Sequence, residues 1–229
     1  MSFLDQCVQD SLPIWQECLE TPFLRQLTAG ALDEAAFAGY IVDDSLYLRE
    51  YARVFAWGML KGETMADIRA CYSLLSFVNE GEGATRLKYL ARWGLRDEDI
   101  QRLPQRPENR AYTDCMIRAT REGEGMAECM MACLPCMLSY GWIFRTIAEQ
   151  APQLKGTVFW PLVEDYADPG YDAFCRDWTA YAEQACAGLP RQRLDRCMEI
   201  FRQCSLHELR FWQMSHRRRT DIAPVIPEK

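Results

Sequence analysis

The sequence predicts an all-α fold, a single-domain helical bundle, on three observations. Apolar residues recur at spacings of three and four through most of the chain. No stretch alternates at period two for long enough to make a convincing strand. Caps, prolines and glycines bracket the periodic segments, with no repeat, low-complexity tract or linker between them. The 229 residues, 49% hydrophobic and 12% aromatic, are enough to bury one sizeable core. One domain over residues 1–221 is expected, followed by a flexible Pro-rich tail, 222–229.

The first helix is expected from Ser2 to Glu20, interrupted at Pro13. Thr21 and Pro22 then start a short helix by a cap and a first-turn proline, and Gly30 ends it. Asp33 caps a long helix from Glu34 to Met59. On its face Phe37, Tyr40, Asp44, Tyr47, Tyr51 and Phe55 form an aromatic stripe with a carboxylate in the middle, whereas Asp43, Arg49 and Glu50 are assigned to solvent. Residues Thr64 to Asn79 read as a packing helix, separated by Gly81 and Gly83 from a shorter one ending at Gly94. Pro104 and Pro107 mark a loop, and Asn109 is expected to cap a helix that carries Tyr112 on its first turn.

Gly123 and Gly125 lead into the central helix, whose stretch Cys129 to Phe144 is sixteen residues without a charge. Cys136 and Tyr140 share one face there, continued by Cys133 and Phe144. Pro135 should bend the helix and free backbone groups to face a cavity. A thiol at a bend beside a phenol suits a reaction centre; the same pattern also fits a core helix with an inert cysteine. A further helix, Gly156 to Tyr166, is expected to end in an Asp168-Pro169-Gly170 turn with glycine supplying a positive φ. Tyr171 to Ala187 and Arg191 to Ser215 complete the set. On the last, Glu208 shares a face with Phe201, Cys204, Phe211 and Ser215, a second carboxylate on an apolar stripe.

A net charge of -7 and a pI near 5.0 argue against nucleic acid as a partner, and the basic cluster His216 to Arg219 is read as offsetting the last helix dipole. The sequence begins without a charged start and apolar run, and the uncharged stretch falls short of the roughly 20 residues that cross a bilayer, so no membrane is expected and a soluble, cytoplasmic protein is. Eleven cysteines at apolar positions suit free thiols in a reducing compartment.

Several motifs mislead. Cys129, Cys133 and Cys136 have the spacing of a radical S-adenosylmethionine cluster site, and Cys133 to Cys136 that of a thioredoxin motif, but neither sits after a strand or in a βαβ context. The two histidines, His207 and His216, lack the partners of a di-iron bundle, since residues 204 and 213 are Cys and Gln, so no metal is assigned. His207 should project about 100° away from the face that carries Glu208.

Taken together, Thr21-Pro22-Phe23 to Gly30, Phe37 to Phe55 with Asp44-Ser45-Leu46-Tyr47-Leu48, Tyr112, Leu134-Pro135-Cys136 to Tyr140, Tyr166, and Ser205 to Trp212 match a known pattern in order and spacing. Over nearly its whole length the chain resembles the TenA family, also called thiaminase II or aminopyrimidine aminohydrolase. The resemblance implies a haem-oxygenase-like fold without haem, a homotetramer, no cofactor, and hydrolytic release of 4-amino-5-hydroxymethyl-2-methylpyrimidine from its 5-aminomethyl analogue or from thiamine. It implies Cys136 as nucleophile, Glu208 as general acid and Asp44 as the group holding the amidine-like edge of the ring, with Tyr47, Tyr112, Tyr140, Tyr166 and Phe211 walling the pocket. Asp43, Ser45 and Leu162 depart from the family pattern, where glutamine is usual and aromatics are common, which bears on substrate preference rather than reaction type. Two alternatives stand beside this reading. One is an enzyme of the same scaffold related to pyrroloquinoline-quinone synthase, which would use histidines and arginines around a large anionic ring. The other is a non-catalytic pyrimidine binder or regulatory partner.

Overall fold

The chain, described here at residues 1–80 and 82–222 of a computed structural model, contains eleven α-helices among those residues and no strand. They are α1 (Phe3–Leu19), α2 (Pro22–Thr28), α3 (Glu34–Lys61), α4 (Met65–Glu80), α5 (Glu82–Arg92), α6 (Asp97–Ile100), α7 (Pro107–Glu122), α8 (Met126–Gln150), α9 (Trp160–Ala167), α10 (Pro169–Cys186) and α11 (Arg191–Ser215). A single 3-10 turn, Pro152–Leu154, follows α8. The buried apolar side chains form one continuous cluster.

Helix α8 is the centre of the bundle, packed against α3, α7, α9, α10 and α11. At 25 residues it extends past the uncharged stretch at both ends, and by length and composition alone it could cross a membrane. Its most apolar window is 83% buried by neighbouring helices, the mark of a core helix. The helix continues through Pro135. Around the proline, side chains take up backbone acceptors: Tyr51 Oη donates to the carbonyl of Cys133 (3.1 Å), Ser139 Oγ to that of Cys136 (3.3 Å) and Tyr171 Oη to that of Met137 (3.1 Å).

Several local expectations need correction. α1 runs as one helix through Pro13. Asn109 is not a cap: α7 begins two residues earlier at Pro107, and the Asn109 amide donates to the carbonyl of Asp43 (2.8 Å). Gly83 lies inside α5, while Gly81 falls outside the described residues, as does the tail from 223 onward. The segment from Gly156 is helical only from Trp160. Asp168 is the N-cap of α10, its carboxylate accepting from the Gly170 N–H (2.6 Å), with Pro169 in the first turn, so Gly170 needs no positive φ. Gly30 and Gly94 do adopt positive φ, +67° and +66°, where their helices end.

The largest correction concerns charge. Asp43 is fully buried and Glu50 nearly so, because α3 is enclosed by other elements on most of its circumference. Arg219 Nη1 donates to Asp43 (2.6 Å), and Arg106 pairs with the other carboxylate oxygen. Arg219 also reaches the carbonyl of Pro104 (2.9 Å) and Asp221 (2.7 Å). Arg217 pairs with Glu108 and Arg218 with Asp33, so the basic cluster after α11 is a clasp joining the starts of α3 and α7 to the end of α11. Gly39 permits the close approach, since a Cβ there would meet the Arg219 backbone nitrogen at 3.2 Å. Removing one member of a buried ion pair strands the other charge, so Asp43→Ala should lower stability by about 3–5 kcal/mol in urea unfolding. A midpoint equal to the wild type would show that the clasp contributes nothing.

Candidate active site

Five helices bring the site residues together. Asp44 and Tyr47 come from α3, Tyr112 from α7, Cys136 and Tyr140 from α8, Tyr166 from α9, and Glu208 and Phe211 from α11. Spacing puts Asp44, Tyr47, Cys136, Tyr140, Glu208 and Phe211 on apolar faces and the resemblance adds Tyr112 and Tyr166; all are buried except Cys136, which is partly exposed.

Glu208 is the junction of the cluster, 1% exposed. Tyr112 Oη donates to its Oε1 at 2.6 Å, and the Cys136 thiol lies beside the same carboxyl. Burial pushes the Glu208 carboxyl up to about 7; the Tyr112 hydroxyl and the Cys136 thiol oppose that shift, and the charge of Asp44 adds to it. Burial likewise raises Asp44 to about 7, opposed by the Arg86 guanidinium and reinforced by Asp43. The cluster thus holds two carboxyl groups near their midpoint at neutral pH, one of them beside a thiol. Such groups can exchange protons in either direction.

The aromatic residues form a connected wall. Tyr47 lies 5.2 Å from Tyr112 and 5.9 Å from Phe211 between ring centroids, and Tyr140 lies 4.9 Å from Tyr166. Burial raises the phenols of Tyr47, Tyr112 and Tyr140 well above their ordinary value, so they stay neutral.

Sequence reasoning missed three contributors. Tyr40 was on the aromatic stripe but had no role; its hydroxyl donates to that of Tyr140 (3.4 Å), and its ring stacks on Trp212 at 5.4 Å. Tyr51, also on the stripe, stacks on Tyr47 at 5.3 Å. Arg86 had no signal at all. It donates to Ser45 Oγ (3.0 Å), bridges to Asp97 (2.9 Å), and brings its charge to bear on Asp44. Ser45, where the family pattern favours an aromatic, therefore receives an arginine. The misleading cysteine motif separates in space: Cys129 lies against Cys133 and Cys71, while Cys136 lies beside Glu208. His207 points away from this pair and stacks on Tyr112, ring centroids 5.5 Å apart and planes within 6°.

The profile of the TENA/THI-4/PQQC family matches residues 8–218. An uncharacterized protein of Haemophilus influenzae is 28% identical, over 92% of this chain and 97% of its own length. An aminopyrimidine aminohydrolase of Helicobacter pylori is 25% identical, over 91% of this chain and 96% of its own. Among solved structures, a TenA homologue from P. horikoshii superposes with a TM-score of 0.83 and 25% identity, over 94% and 98% of the two chains. A Shewanella denitrificans domain described as having a heme oxygenase-like fold matches with a TM-score of 0.74 at 13% identity, covering 93% and 91%. The architecture is haem-oxygenase-like.

The raised carboxyls predict a pH dependence of stability. Both groups bind protons more tightly folded than unfolded, so their contribution is fully present below their ordinary values, 3.8 and 4.5, and is lost as pH rises through about 7. Glu208→Gln should therefore flatten the fall in unfolding free energy between pH 5 and pH 8, measured by urea titration. A slope as steep as the wild type's would mean that Glu208 ionises at its ordinary value.

Proposed function

This chain belongs to the TENA/THI-4/PQQC family, and on that premise we propose that it is a cysteine-dependent hydrolase of thiamine-related aminopyrimidines. The observation that carries the proposal is Glu208, a buried carboxyl shared between the Tyr112 phenol and the Cys136 thiol. The aminopyrimidine aminohydrolase among its relatives supports the same reaction class.

In the proposed reaction Cys136 gives its proton to Glu208 and adds as a thiolate to the electron-poor pyrimidine ring of 4-amino-5-aminomethyl-2-methylpyrimidine. Glu208, protonated by that transfer, is the general acid that supplies a proton as the ring is attacked. Electrons returning through the ring expel the amine from the exocyclic carbon, water adds there, and the thiolate departs. The net change is replacement of an amino group by a hydroxyl with release of ammonia. With thiamine, the thiazole leaves instead.

Each remaining residue has a role in that scheme. Asp44 pairs with the ring nitrogen and exocyclic amine through charge-assisted hydrogen bonds, and its pKa near 7 lets it meet that edge either as anion or as acid. The Tyr112 hydroxyl fixes which Glu208 oxygen faces the thiol. Tyr47, Tyr140, Tyr166 and Phe211 supply ring faces for stacking. The proposal extends to a homotetramer, which light scattering would detect as four times the 26.6 kDa chain, and to a cytoplasmic setting in which eleven thiols stay reduced.

The test is chromatography of the hydroxymethylpyrimidine released from the aminomethyl compound and from thiamine in parallel. The Cys136→Ala variant should keep the wild-type helix signal and lose turnover at least about 1000-fold, and Glu208→Gln about 100-fold or more. The ratio of the two wild-type rates separates salvage from degradation. Full activity in Cys136→Ala would sink the covalent route, and no turnover of either substrate by folded wild type would sink the assignment.

A further inference from the structure

A second thiol chemistry lies where α7 crosses α11. From Tyr112, three residues along α7 lead to Cys115; from its partner Glu208, four residues back along α11 lead to Cys204. Both steps are close to one helical turn, and with the helices antiparallel at this contact the two cysteines face each other. Cys204 and His207 lie against the Cys115 sulfur, and both favour its thiolate. The His207 ring is fixed by its stack on Tyr112 and is 9% exposed. Its Nδ1 has no hydrogen-bond partner. Arg118, three residues beyond Cys115, adds positive charge.

The pair is asymmetric. Cys204, His207 and Arg118 hold the Cys115 thiol well below its ordinary range, while the Cys115 sulfur, together with burial, pushes Cys204 well above. Cys115 is partly exposed and Cys204 fully buried. An accessible thiolate backed by a protonated thiol is the arrangement in which one sulfur attacks an electrophile and the other resolves the product.

We propose that Cys115 and Cys204 form a peroxide-reactive dithiol site separate from Cys136, with Cys115 as the attacking sulfur, Cys204 as the resolving thiol and His207 as a positioning residue. The Cys115 thiolate attacks one oxygen of hydrogen peroxide, the O–O bond breaks, and the departing hydroxide is protonated to water. The sulfur becomes a sulfenic acid, oxidised by two electrons. Cys204 then attacks that sulfur, losing its proton as the hydroxyl leaves as a second water, and an S–S bond forms. Two thiols and one peroxide give one disulfide and two waters.

The experiment treats the reduced full chain with equimolar hydrogen peroxide, quenches with iodoacetamide, and maps tryptic peptides by mass spectrometry. The expected product links peptides 111–118 and 203–210, in the wild type and equally in Cys136→Ser. Cys115 should be consumed at least about tenfold faster than Cys7 and Cys18, whose thiols burial raises. Cys204→Ser should stop at a sulfenic acid on Cys115 that dimedone traps, and His207→Asn should slow Cys115 about tenfold with the helix signal unchanged. Competitive alkylation of the untreated wild type reads the reactivity of Cys115 directly if Cys204→Ser does not fold. Reaction of Cys115 no faster than Cys7, or a peroxide-induced link joining Cys204 to Cys136 instead, would overturn the proposal.

Discussion

Burying a carboxyl group among aromatic rings is expensive unless it is protonated or hydrogen-bonded, and Glu208 is held between those two solutions. One phenol and one thiol reach it, and a second buried carboxyl, Asp44, lies close enough to disfavour its ionisation. Much else follows from that constraint. α7 must approach α11 closely enough for Tyr112 to donate, α8 must present Cys136 on the same side, and α3 must bring Asp44 without neutralising Glu208. The charge that Asp44 feels from Arg86 is accordingly opposed by desolvation, leaving both groups poised.

The proposed pocket wall and the hydrophobic core are made of the same side chains. Tyr140 packs against Phe144, Tyr166 and Trp212, with centroids 5.6, 4.9 and 5.1 Å away, and Tyr40 bridges Phe23, Phe37 and Trp212. Each such ring pair contributes about 0.5–1.5 kcal/mol beyond the area it buries. Truncating one of these tyrosines would therefore mix lost packing with lost binding, whereas a change to phenylalanine would isolate the hydroxyl. This sharing also explains a site that spans five helices: the aromatic stripes that fasten the bundle together are the ones that converge on Cys136.

What could be read from the sequence was whatever local periodicity encodes. A carboxylate at position 44 amid Phe37, Tyr40, Tyr47 and Tyr51 is visible because helical spacing alone puts them on one face, and Glu208 is visible by the same logic. Asp43 was misread for the matching reason. One residue away from Asp44, it leaves the apolar face, and nothing local announces Arg106 or Arg219, which reach it from 63 and 176 residues away. Arg86 escaped notice likewise, since an arginine on a polar helix is ordinary until the fold sets it beside Ser45. Helix boundaries failed where a proline or cap had two meanings: Pro13 is tolerated inside α1, and Asp168 begins α10 where a turn was expected.

The clasp between Asp43 and Arg219 has a consequence for how the protein comes to be made. Asp43 emerges from the ribosome early, yet a carboxylate with no exposure needs both arginines, and the second lies 176 residues further on. Until residue 219 has been synthesised, the middle of α3 has every reason to stay hydrated, since a buried, half-compensated charge disfavours compaction. Domains often gain structure progressively during translation, but here the closing contact joins distant parts of the chain. The bundle is thus biased toward completion after α11 is available.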